Sequence, residues 1–279
     1  MPDCTDHHRP DSALHGSLQL RFADHAGTTR LVDCQHRGPL RVQKALYPEG
    51  PRICHAIVLH PPGGVVGGDS LDIAVQAEAS SHALLTSPGA AKWYRSNGKL
   101  SQQHVRLDAA AGAALEWLPQ ESIFFNQARV RLEHDITLAH DASYIGCEIQ
   151  CFGRSASGER FAEGAISQRT RIRRGGKLLW WEQGALHGGS TQMASPFGLH
   201  GATVCATLIG VGTPVPALLL ASLRASLPAV AFTQIKSVLV ARFLGSDSET
   251  ARRAMLGVWQ ALRSHLLGCS AAIPRIWNT

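Results

Sequence analysis

At 279 residues the chain is long enough for one large β-rich domain or two smaller ones, and a content of 44% hydrophobic against 17% charged residues excludes wholesale disorder. A net charge of +6 admits an acidic protein surface or a nucleic acid as partner and does not choose between them. The 27 glycines and 14 prolines favour many short elements joined by tight turns over long helices.

Residues 1–16 are polar and without period, so they read as a disordered tail in which Cys4, His7 and His8 offer soft ligands; residues 17–279 form a single domain. The start of the chain has no apolar stretch of the secretory kind, and the protein is expected in the cytoplasm. From Leu18 to Ile209 the dominant signal is period two. It runs through Leu18, Leu20, Phe22; Leu71, Ile73, Val75, Ala77; Val130, Leu132; Ile136, Leu138; and Ile145, Cys147, Ile149, Cys151. Pro61-Pro62-Gly63-Gly64, Ser87-Pro88-Gly89, Asn97-Gly98 and Arg174-Gly175-Gly176 punctuate these runs as turns. The fold predicted is mainly β: many short strands in a single β-helical or sandwich-like body with a few helices.

Gln183 to Leu223 contains no Asp, Glu, Lys or Arg, which raises a membrane span over 202–223. Pro214 and Pro216 break it, and a buried strand followed by a short helix accounts for it better. Near the end, Met255, Val258, Trp259, Leu262 and Leu266 fall at helical spacing with Arg252, Arg253 and Arg263 off the stripe, predicting an amphipathic helix that covers one side of the β body. Ser246-Asp247-Ser248-Glu249 supplies a capping box and Gly268 a stop.

Several motifs carry chemistry in principle. His60-Pro-Pro-Gly-Gly-Val-Val-Gly-Gly-Asp69 has the glycines of a phosphate loop but ends in Gly-Asp, where a carboxylate repels phosphate. Either Asp69 hydrogen-bonds the turn, or Asp69 and His60 face a polar channel. Gly153-Arg-Ser-Ala-Ser-Gly-Glu159 falls short of a serine-hydrolase elbow, lacking both the fifth-position glycine and the helix that follows. Glu116 and Glu121 flank a proline and define no acid–base geometry. Arg169, Arg171 and Arg173 share one strand face, read as a solvated edge strand or a docking surface for an acidic protein; no aromatic residues interleave for base stacking. Seven cysteines without a CxxC pair point to neither a disulfide framework nor a zinc site, and Cys147 and Cys151 read as core.

Taken in order, HPPGGVVGGD (60–69), TSPGAAKWYRS (86–96), EWLPQESIFF (116–125), GRSASGE (153–159) and PRIW (274–277) closely resemble the urease accessory protein UreD family, called UreH in some systems. The match runs over roughly residues 17–277. Ala90-Ala91 stands where Ala-Thr is expected, and Trp93 replaces a smaller or phenyl side chain. The resemblance implies a helix-capped β scaffold that is not an enzyme. It implies binding to UreF, recruitment of the GTPase UreG through UreF, and docking on apo-urease for nickel insertion. No cofactor is expected to be held tightly, because an ion bound by a full set of soft ligands would not leave. Asp69, Glu182 and His60 are the expected transient nickel route. Glu182 qualifies by sitting beside Trp180 and Trp181 at the start of the uncharged stretch. Lys92, Tyr94, Arg95, Arg171, Arg173 and the C-terminal helix are the expected partner contacts. The alternative from another class is a basic nucleic-acid-binding β protein.

Overall fold

The computed structural model describes residues 13–278. The chain opens with β1 (His15–His25), β2 (Thr28–Arg37), β3 (Arg41–Leu46), β4 (Ile53–Leu59) and β5 (Ser70–Ala77). It continues through β6 (His82–Thr86), β7 (Ala91–Trp93), β8 (Ser101–Ala109), β9 (Ala114–Leu118) and β10 (Ser122–Phe124). β11 (Arg129–Leu138), β12 (Ser143–Phe152), β13 (Ala165–Arg174) and β14 (Lys177–His187) follow. The last third holds α1 (Thr191–Ala194), β15 (Val204–Val211), α2 (Ala217–Ser226), β16 (Val230–Ile235), β17 (Val238–Gly245) and α3 (Ser248–Leu267).

From β4 to β13, the short β7 and β10 apart, the chain alternates between two sheets. The first has the order β14-β13-β11-β8-β5-β1-β2, the second β16-β17-β15-β12-β9-β6-β4-β3, with β7 and β10 added beside β12. Strands that succeed one another within a sheet pair in parallel, as β1, β5, β8, β11 and β13 do in the first. Each two-strand coil therefore stacks on the one before, as in a β-solenoid. Antiparallel hairpins close both ends of the stack. Stacking places like on like: Leu20, Val75, Leu107, Ile136 and Ile172 form one continuous rung across five strands, buried between the sheets. Alternation in sequence becomes an apolar inner face because successive side chains point to opposite sides of a strand.

The strand expectations hold with adjustments. β1 starts at His15, so residues 15 and 16, expected in the tail, lie in a strand; Cys4, His7 and His8 lie outside the described residues. The two runs Val130–Leu132 and Ile136–Leu138 are one strand, β11, whose inward series continues through His134. The uncharged stretch folds as the buried β15 followed by α2, and among the described residues no helix is long and apolar enough to cross a membrane.

α3 covers the outer face of the second sheet, burying Met255, Val258, Trp259 and Leu262 against β12, β15 and β17. Asp247 caps it by accepting from the Thr250 amide, and Gly268 ends it at φ +64. Arg263 departs from the expectation that it lies off the buried stripe: it is fully buried. Its guanidinium meets Glu49 on the loop before β4, with Nη2 2.8 Å from Oε1, and Glu116 of β9, with Nη2 3.1 Å from Oε1. Glu116 also accepts from Trp259 Nε1 at 2.6 Å and pairs with His82 at 2.8 Å, while Glu49 pairs with His55 at 2.6 Å. Glu116 is thus a clamp for the helix. Its position beside a proline gave no hint of this, because every partner is distant in sequence.

Candidate functional site: a polar seam between the sheets

One register away from the apolar rung, the ladder changes character. It reads Leu18, Ile73, Val105 and then His134, Thr170 and Glu182 across β11, β13 and β14. The facing row in the second sheet is Glu148 of β12, Thr207 of β15 and Arg242 of β17. Two side-chain contacts tie the rows together: His134 Nδ1 lies 2.6 Å from Glu148 Oε1, and Arg242 Nη2 pairs with Glu182 Oε1 at 2.6 Å. Gln168 donates to the other Glu148 oxygen at 2.5 Å and accepts from Gln150 at 2.5 Å. In this register the later coils therefore present hydrogen-bonded side chains where the earlier coils present hydrocarbon.

Two cavities meet at this seam. A cleft of about 370 Å³ is lined by His60, Lys92 and Gln103 at one side and by His134, Glu148 and Gln150 at the other. A second cavity of about 90 Å³ shares His134, Glu148 and Gln150 and extends to Thr207, Glu182 and Arg242. Each has room for several waters, which need about 10–15 Å³ apiece by the same measure. Burial raises the Glu148 carboxyl above its ordinary value; the charge of His134 opposes the rise and that of Glu182 adds to it. Arg242 already meets the charge of Glu182, which leaves Glu148 as the carboxylate that lines both cavities.

Of the sequence-derived residues, His60 and Glu182 border the two cavities and Asp69 lines neither. His60 borders the larger cleft, and its Nε2 is buried without a hydrogen-bond partner among the described residues. Burial lowers its affinity for a proton, and the charge of Asp69 partly restores it. Asp69 is 1% exposed, and its oxygens accept from the Leu14 amide at 2.8 Å and the Val66 amide at 3.0 Å, fastening the glycine loop to the start of β1. Glu182 sits at the far end of the seam, 36% exposed at its side chain. Gly64 packs against the Tyr94 ring, leaving no space for a Cβ, and that ring meets Phe125 edge-on at 4.9 Å. Gly64→Ala is expected to displace Tyr94 and cost about 1–3 kcal/mol in urea unfolding; an unchanged midpoint would mean the loop yields freely.

Lys92 and Arg95 are exposed beside this ring. The arginine stripe needs correction. β13 lies inside its sheet, with β14 at the edge. Arg171 Nε is 2.5 Å from Asp135, and Arg169 Nη2 is 3.2 Å from Glu133, so two of its charges are met in place. That removes most of the ground for phosphate binding. The closing PRIW motif docks inward: Trp277 Nε1 donates to Thr86 Oγ1 at 2.7 Å and its ring meets Trp259 at 5.8 Å.

Sequence reasoning missed His134, Glu148, Gln150, Gln168 and Arg242. A signal for the first existed, since His134 interrupts Val130, Leu132, Ile136, Leu138 at an inward position. Glu148 and Gln150 alternate with Ile145, Cys147, Ile149 and Cys151 and so pass for a solvent face. In β12 both faces are covered, one by α3 and one by the first sheet.

A family model described as UreD urease accessory protein matches residues 14–278, nearly the whole chain. The chain belongs to the UreD family. A protein of Janthinobacterium sp. (strain Marseille) is 61% identical over 268 residues, covering 94% of this chain and 90% of the relative. One from Nitrosospira multiformis is 52% identical over 276 residues, covering 96% and 99%, and one from Dechloromonas aromatica is 45% identical over 286 residues, covering 100% and 99%. Each of these relatives is named urease accessory protein UreD. In this UreD-family chain the five sequence motifs surround the larger cleft or fasten its walls, except that Gly153–Glu159 forms a short turn closed by an Arg154–Glu159 pair at 2.8 Å.

Proposed function

We propose that the chain is a urease maturation factor of the cytoplasm that makes and breaks no bond in a substrate. It serves as a scaffold that docks with UreF, and through UreF with UreG, on apo-urease, and it lets Ni²⁺ pass along the polar seam. Membership in the UreD family supports the maturation role. The observation that carries the route is the band of His134, Glu148, Gln150, Gln168 and Glu182 between two otherwise apolar sheets, which opens at one end into the cleft that His60 also lines. Its ligands are sparse, His134 with Glu148 and, farther along, Glu182, whose charge Arg242 already meets, and so few donors suit passage over capture. The described cysteines are all free, as a reducing compartment would leave them.

Glu182→Ala and Asp69→Ala test the route. Glu182→Ala is expected to leave assembly with UreF and apo-urease intact while lowering urease activation and the nickel that co-purifies. Asp69→Ala is expected to do the same by releasing the Leu14 and Val66 amides and loosening the wall beside His60. Normal activation and normal bound nickel in both intact complexes would exclude the seam as a conduit.

A further inference from the structure

Sheet edges expose unpaired N–H and C=O groups, and proteins ordinarily guard them with charge, bulges or brevity. Here β2 carries Arg30, Asp33, His36 and Arg37; β3 carries Arg41 and Lys44 and a register shift between Val42 and Ala45; β16 has six residues. β14 is different. It is an edge of eleven residues, paired on one side with β13 and on the other with no described residue. Its two charged residues are Lys177 at its start and Glu182, which points inward to Arg242. Its irregularity lies near the turn, between Ile172 and Arg173 of the partner strand, leaving 180–187 in regular register.

Large apolar side chains stand on and beside this edge. Trp181 is 60% exposed, Leu178 is 46% exposed, and Phe197, on the loop after the α1 helix that packs beside β14, is fully exposed. At the turn end, Arg173 and Lys177 are exposed and have no acidic partner among the described residues. A second copy, itself at +6, would bring the same sign of charge.

We infer that β14 is a docking edge that takes up an extended segment of apo-urease by strand addition. The segment has apolar side chains in alternation to cover Leu178 and Trp181, and an acidic side chain at the end that meets Arg173 and Lys177. Main-chain hydrogen bonds supply affinity in this mode, and the side chains flanking the edge supply choice. The inference rests on the reading of the chain as docking on apo-urease.

Amide hydrogen exchange of the full chain, alone and mixed with apo-urease, tests it. The amides of 178–187 are expected to gain protection in the complex, and Trp181→Lys and the pair Arg173→Glu/Lys177→Glu, all at exposed positions, are each expected to weaken binding on the order of tenfold. A complex that forms with 178–187 exchanging as in the free chain overturns the inference and leaves docking standing. Failure of the parent chain to bind apo-urease overturns both. Protection of 178–187 that grows with chain concentration without urease identifies a second copy as the occupant and overturns it as well.

Discussion

Arg263→Met is expected to lower stability by about 3–5 kcal/mol, the usual cost of removing one member of a buried ion pair and leaving the other uncompensated. Here two carboxylates lose their shared cation, Glu116 at 0% and Glu49 at 7% side-chain exposure. Burial alone would raise the Glu49 carboxyl, but hydrogen bonds from His55 and Arg263 and the charge of Arg263 bring it down to about 2. Glu116 is lowered in the same way, burial being overcome by His82, Arg263 and Trp259. A folded-state value below the unfolded one contributes stability that is present above the ordinary carboxylate range and lost as pH falls through the folded value. The parent should therefore weaken between about pH 4.5 and 2, and the variant, having lost part of that contribution, should show a shallower decline. Urea unfolding at a series of pH values measures both. A loss under 1 kcal/mol at neutral pH, or an equal loss at pH 3, would mean that α3 is held by its apolar stripe alone.

Glu148→Gln is expected to leave the fold nearly as stable and to reduce urease activation on the order of tenfold. Glutamine still accepts from Gln168 and reaches His134, so the hydrogen-bonded seam closes as before. What disappears is a charge facing both cavities. Two unit charges 4 Å apart attract by about 4 kcal/mol at an effective dielectric of about 20, and a third of that is already a tenfold change in rate. Because burial holds the Glu148 carboxyl above its ordinary value, its ionisation costs stability as pH rises past the unfolded value, and the variant should lack that decline. Activation assays with the intact accessory complex, run beside unfolding curves, separate the two effects. Equal activation by parent and variant would show that the ion does not pass this carboxylate.

The strands were legible because alternation writes one buried face directly into the sequence, and Leu18 to Phe22 or Leu71 to Ala77 needs no knowledge of the neighbour. α3 was legible for the same reason at helical spacing. Stacked coils stood as one of two readings, β-helical or sandwich-like, because rungs such as Leu20, Val75, Leu107, Ile136 and Ile172 are spaced irregularly along the chain and show no fixed repeat to choose between them. Of the seam, Glu182 and His60 stood out through unusual surroundings. Glu148 did not, because a polar residue every second position is also how a wet strand reads, and what covers β12 on both sides comes from α3 and the other sheet. Arg263 looked solvent-facing until Glu49 and Glu116, far upstream, were brought beneath it.

That separation has a further consequence. Arg263 follows Glu116 by 147 residues and Glu49 by 214, so during translation both acids emerge long before the cation that neutralises them. Until the ribosome releases α3, the nascent chain carries an uncovered apolar sheet whose two carboxylates lack the arginine they share. Such a surface is a substrate for chaperones and proteases. Chains truncated before Arg263 should then yield no partly working product, because the second sheet loses its cover and the two carboxylates their shared cation.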